Sequence, residues 1–118
     1  MIELDIPAAP PSVNRIWRNG QGKTYLSKEA VEFYQIVKWT VRERVPKDWR
    51  YYRVEIVVEP RSRRGDVDNK IKPTLDALTK AGFWPDDDRV AFVSCHFGKV
   101  NRNGRTLIRV SRMDRKYF

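Results

Sequence analysis

The sequence is poor in sulfur, in histidine and in long apolar runs, and each shortage removes a class of protein. A single cysteine, Cys95, leaves no intrachain disulfide to form and no ground for a disulfide-linked partner, which suits a reducing cytoplasm. The one histidine, His96, adjoins Cys95 in a stretch that reads as a strand. Strand neighbours face opposite ways, so the two make a poor shared zinc site, and histidine-based catalysis is disfavoured. No apolar run approaches the ~18–20 residues of a bilayer-spanning helix. The opening MIELDIPAAPPS carries early acids and prolines and does not read as a signal peptide. Repeats, low-complexity tracts and linkers are also missing, so the 118 residues are expected to form one domain, 1–118.

Positive charge is in excess. Lysine and arginine number 24 against 15 acids, a net charge of +9. Such a field draws polyanions, nucleic acid foremost. A hydrophobic content of 41% is enough to bury one core, so the excess is not that of a disordered tail.

Taken in order, Ile2, Leu4 and Ile6 alternate with Glu3 and Asp5 as a half-buried strand. Pro7, Pro10 and Pro11 stop it, and PPSVNRIWRNGQGKTYLS reads as a long loop. Its Arg15, Arg18 and Lys23, interleaved with Trp17 and Tyr25, suit backbone neutralisation and base stacking, or else a surface loop pinned by its aromatics. Ser27 can cap a helix whose stripe is Ala30, Phe33, Val37 and Val41, with Arg42 and Arg44 at its negative end and Pro46 ending it. Tyr52 to Glu59 alternates again, rich in β-branched residues. Val90 to Gly98 and Thr106 to Arg112 complete the strands, and Asn103-Gly104 between them is a hairpin signal. The order strand-helix-strand-helix-strand-strand predicts an α+β domain in two layers. Its sheet would be mixed, with a C-terminal antiparallel hairpin and helices on one face.

The chain is organised around residues 61–90, RSRRGDVDNKIKPTLDALTKAGFWPDDDRV. Asp66 and Asp68 follow a strand, and if the backbone stays extended their carboxylates share one side. Two like charges that close are unfavourable alone, and a bound cation removes that penalty. Hard oxygen donors suit Mg²⁺, which takes one or two carboxylates with waters and substrate phosphate. A helix starts near Lys72 or Pro73, with Ile71, Leu75, Leu78 and Gly82 inward and Lys72, Asp76 and Lys80 four apart on another face. Gly82 closes it, and Asp86, Asp87 and Asp88 follow. About ten helical residues span roughly 15 Å, so the second acidic cluster can return beside the first if the next strand lies beside theirs. The plainer alternative makes these acids cap and turn residues.

At these residues the sequence resembles the RusA family of Holliday-junction resolvases. The pattern D-x-D-N-x-x-K-x-x-x-D-x-L is met by Asp66, Asp68, Asn69, Lys72, Asp76 and Leu78, DALTKAGFW follows, and PPSVNRIWR resembles the family's opening motif. The resemblance implies a Mg²⁺-dependent homodimer, Mn²⁺ able to stand in, that makes paired symmetrical nicks across four-way junction DNA. It implies catalytic Asp66, Asp68 and Asp87, all three on the metal, with Lys72 as essential partner. The third ligand's register stays open among Asp86, Asp87 and Asp88. Arg15, Arg18, Arg63, Arg64, Lys70 and Lys80 are the expected DNA contacts. Gly65 stands where the family pattern has an arginine before the first aspartate, with Arg63 and Arg64 on hand to replace it. The implied setting is the cytoplasm of a bacterial or phage-infected cell. Two rivals remain: a PD-(D/E)xK nuclease, whose fragments Pro85-Asp86 and Asp68-Asn69-Lys70 occur in reversed order, and a basic DNA-binding module without catalysis.

Overall fold

A computed structural model describes residues 1–20 and 23–117, without the side chains of residues 18 and 23–25. Strands β1 (Ile2–Ile6), β4 (Tyr51–Glu59), β5 (Val90–Phe97) and β6 (Arg105–Met113) form one sheet in the order β1-β6-β4-β5. β4 pairs with β5 in parallel and with β6 antiparallel, and β6 pairs antiparallel with β1. Helices α1 (Lys28–Thr40) and α2 (Ile71–Lys80) pack on one side of this mixed sheet, an α+β fold.

Alternation along the strands sorts the sheet's two faces. Leu4, Ile6, Tyr52, Val54, Ile56, Val58, Ile108 and Val110 are buried beneath the helices. From α1, Ala30, Phe33 and Val37 meet them. Ser27 caps α1, its hydroxyl accepting from the Ala30 amide at 3.2 Å. The tyrosine ring of Tyr52 stacks on Trp84, centroids 5.3 Å apart, and the Trp84 Nε1–H donates to Thr79 Oγ1 at 2.7 Å. That bond anchors the exit of α2. There Gly82 takes φ +78°, its amide donates to Thr79 O, and the Phe83 amide donates to Leu78 O. This is the paired closure that a left-handed C′ glycine provides.

Three expectations are corrected. The last two strands run in opposite directions but form no hairpin, because β4 lies between them. The connection 98–104 crosses the end of β4 instead, with Gly98 N–H on Val58 O and Asn101 N–H on Pro60 O, both at 2.8 Å. Gly104 does need its positive φ of +75°, and a Cβ there would fall 2.7 Å from Ala9 N. Helix α1 ends at Thr40 rather than at Pro46. Val41 turns extended, and the Val45 amide donates to Phe83 O at 3.0 Å, so 41–45 packs as a strap between the two helix exits. The long loop holds a 3₁₀ turn, Val13–Arg15, and a two-stranded sheet of β2 (Trp17–Gly20) and β3 (Lys23–Leu26).

Candidate active site

Pro60 ends β4, and the arginine run 61–64 leads into Gly65 at φ +98°. A Cβ at Gly65 would meet nothing closer than Lys70 Cε at 3.9 Å, so conformation rather than space selects glycine here. An arginine held at that φ would be strained. Asp66 is extended (φ −105°, ψ 141°), and Val67–Lys70 then forms a 3₁₀ turn that runs straight into α2. The alternation expected of Asp66 and Asp68 therefore fails: the backbone curls after one extended residue. Asp66 is the cap position and Asp68 the second residue of the turn. Both carboxylates are exposed, and neither is hydrogen-bonded or ion-paired among the described residues.

The second cluster is committed differently. Lys72 Nζ sits 2.9 Å from Asp76 Oδ1 and 3.1 Å from Asp87 Oδ2, one ammonium between two carboxylates. These hydrogen bonds, Asp76 first and Asp87 second, raise the Lys72 pKa above its ordinary 10.5. Asp86 caps the 3₁₀ turn Asp87–Arg89 by accepting from the Asp88 amide at 3.2 Å, which lowers the Asp86 pKa below 3.8. Asp88 is exposed. Of the three consecutive acids, Asp87 is the one that meets α2. Among the described residues no three acidic, histidine or cysteine side chains gather around one point. Lys72, four residues beyond Asp68, binds the second cluster through Asp87 and makes no ion pair with the first among the described residues. Asp66 and Asp68 offer the hard, uncommitted oxygens that fit a Mg²⁺ completed by water and phosphate.

A cleft of about 660 Å³ opens beside Asp66, between the proline-rich segment 7–12, α1 and residues 60–70. Arg15, Arg64 and Lys70, all expected at DNA, line it, with Arg61 and Asn69, which that expectation omitted. Arg61 was legible as part of the arginine run; Asn69 lies inside the aspartate motif. Lys70 is half-buried and its Nζ donates to Pro10 O at 3.2 Å. Burial first, then repulsion from Arg15, lowers its pKa from 10.5. Arg63 is exposed and does not line the cleft, and Lys80 stands over the Tyr34 ring at 5.1 Å, also outside it. The Arg18, Lys23 and Tyr25 side chains lie outside the described residues.

The mixed sheet delivers two uncommitted carboxylates to a helix start beside a basic cleft, and the family whose model matches this sequence is described as Endodeoxyribonuclease RusA. The family model matches residues 7–111, and the chain belongs to that family. Among its relatives is a crossover junction endodeoxyribonuclease RusA of Escherichia coli K12, 35% identical over 107 residues, covering 88% of this chain and 89% of the relative. A protein of the same description from Enterobacteria phage 82 shows the same identity and coverage. Another, from Escherichia coli O139:H28, is 38% identical over 84 residues, 69% of this chain and 70% of that one.

Proposed function

We propose that this chain is a structure-selective endonuclease that resolves Holliday junctions by Mg²⁺-dependent phosphodiester hydrolysis, cutting as a homodimer with paired symmetrical nicks. The observation that carries the reading is family membership across the span that holds Asp66, Asp68, Lys72 and Asp87. A bound metal would supply an activated water and offset charge on the phosphate and leaving oxygen. Asp66 and Asp68 would hold it; Asp87, proposed as third ligand, is held by Lys72 and does not gather with them around one point among the described residues. Lys72 has three ammonium donors, of which Asp76 and Asp87 take two, so one N–H is left to orient a phosphate oxygen or the water. The cleft arginines grip backbone without reading sequence. Four-way junction DNA is the substrate and the bacterial or phage-infected cytoplasm the setting. No helix among the described residues is long and apolar enough to cross a membrane.

Two symmetrical cuts need two sites related by a two-fold axis. Strand β5 offers a surface for that pairing. It is an edge strand of eight residues, VAFVSCHF, without one Asp, Glu, Lys or Arg. The other edge, β1, is shorter and carries Glu3 and Asp5. A long uncharged edge is a template for another strand.

The test is nicking of a synthetic four-way junction with Mg²⁺ and with chelator. Asp66→Asn is expected to fold and bind the junction while losing cleavage; retained nicking would remove Asp66 from the metal. The non-catalytic module draws support from the structural partners of Asp76, Asp86 and Asp87. It predicts binding without nicking in the unaltered chain.

A further inference from the structure

The cleft carries more positive charge than its own partners neutralise. Arg15, Arg64 and Lys70 line it, and none is ion-paired with a carboxylate among the described residues. Among the described residues the Lys70 ammonium hydrogen-bonds the neutral Pro10 carbonyl alone. Among the described residues Arg61 bonds only the Arg102 carbonyl, at 3.1 Å. On the α1 wall stand Glu29 and Glu32, the latter 3.9 Å from Lys28. In a chain with 15 acids, four cations left without carboxylate partners at one cleft mark a place for an anion.

The rest of the wall is of another character. Pro11 and Ile36, both part-exposed, add apolar surface to the same lining, over the buried Phe33. Backbone gripping alone needs only a shallow basic groove, whereas an apolar wall within a concavity suits a flat ring. The volume of about 660 Å³ falls in the range of sites that enclose a ligand of nucleotide size.

We propose that the cleft receives one unstacked nucleotide of the bound DNA, with its base against Pro11 and Ile36 and its phosphate between Arg15 and Lys70, next to Asp66. This rests on the junction-endonuclease reading, because a branch point is where base stacking is already interrupted and extrusion costs least. The extruded unit would draw the adjoining phosphodiester toward Asp66. Discrimination between branched and continuous duplex would then reside in the cleft rather than in the acids.

The experiment places 2-aminopurine, a base analogue whose fluorescence rises when it unstacks, at each branch-point position of a four-way junction and in a matched duplex. Junction binding by the full chain is followed separately by gel shift. The expected result is a fluorescence rise at one branch position and none in the duplex. Lys70→Met keeps the stem over Gly65 and removes the charge. It should lose the rise and reduce the log–log salt slope of binding by about one. Lys70→Arg should restore both, and Lys38→Met, which removes a charge from the exposed surface of α1, should leave both as in the parent. A bound junction with no rise at any branch position overturns the inference and leaves the nuclease reading standing. So does a rise that persists unchanged in Lys70→Met. Failure to bind the junction at all would sink both.

Discussion

Three adjacent aspartates do three different things, and the structure separates them by what each oxygen touches. Asp86 closes its own turn through the Asp88 amide, Asp87 meets Lys72, and Asp88 is exposed to solvent. Asp86→Ala is therefore expected to retain junction nicking, with a local loosening of the 87–89 turn. Asp87→Asn should reduce nicking by orders of magnitude, and a junction-cleavage time course on the two variants decides it. The sequence makes the acids visible but not their division of labour, because capping depends on backbone angles that one-letter spacing does not report. Asp5 illustrates a purely structural carboxylate. Arg105 grips it at 2.9 and 2.7 Å and holds its pKa below 3.8. A depressed carboxylate stabilises the fold above its unfolded pKa and stops doing so as pH falls through the folded value. Thermal melts should accordingly separate the parent from Asp5→Asn at neutral pH and converge in acid below 3.8.

At the level of elements, what the sequence discloses is local period and what it conceals is pairing. β1 and β4 follow from alternation, and the entry and exit of α2 from its proline and glycine. The end of α1 is hidden because Val41 and Val45 keep a four-residue apolar spacing after the helix has stopped. The small sheet of β2 and β3 is hidden because WRNG and KTYL hold little apolar alternation. Asn103-Gly104 is the instructive case: the dipeptide reports a left-handed residue, and nothing in it states which strands will be neighbours. Its glycine is required for a crossing connection packed on Ala9. Gly104→Ala combines an unfavourable φ with that clash and should cost roughly 2 kcal/mol or more. Urea denaturation would show it as a lower midpoint with an unchanged slope.

At the scale of the whole molecule, the uncharged edge of β5 is the surface on which the proposed dimer would form. Val93, 37% exposed in the middle of that edge, is the position to challenge. Val93→Lys should convert a dimer to a monomer in sedimentation while shifting the melting temperature little, since its side chain is not in the core. Junction nicking should then fall from paired to single cuts. A dimer unaffected by Val93→Lys would move the two-fold axis elsewhere. The order β1-β6-β4-β5 also has a bearing on folding. Thr106 Oγ1 of β6 donates to Ala8 O at 2.7 Å, and Gly104 seats Ala9, so the proline-rich side of the cleft is fastened to β6. β4, α2 and β5, whose connections carry every proposed catalytic aspartate, can pair and pack without β6, but the wall facing them cannot be seated. The substrate pocket would take shape only once the strand beginning at Arg105 has docked.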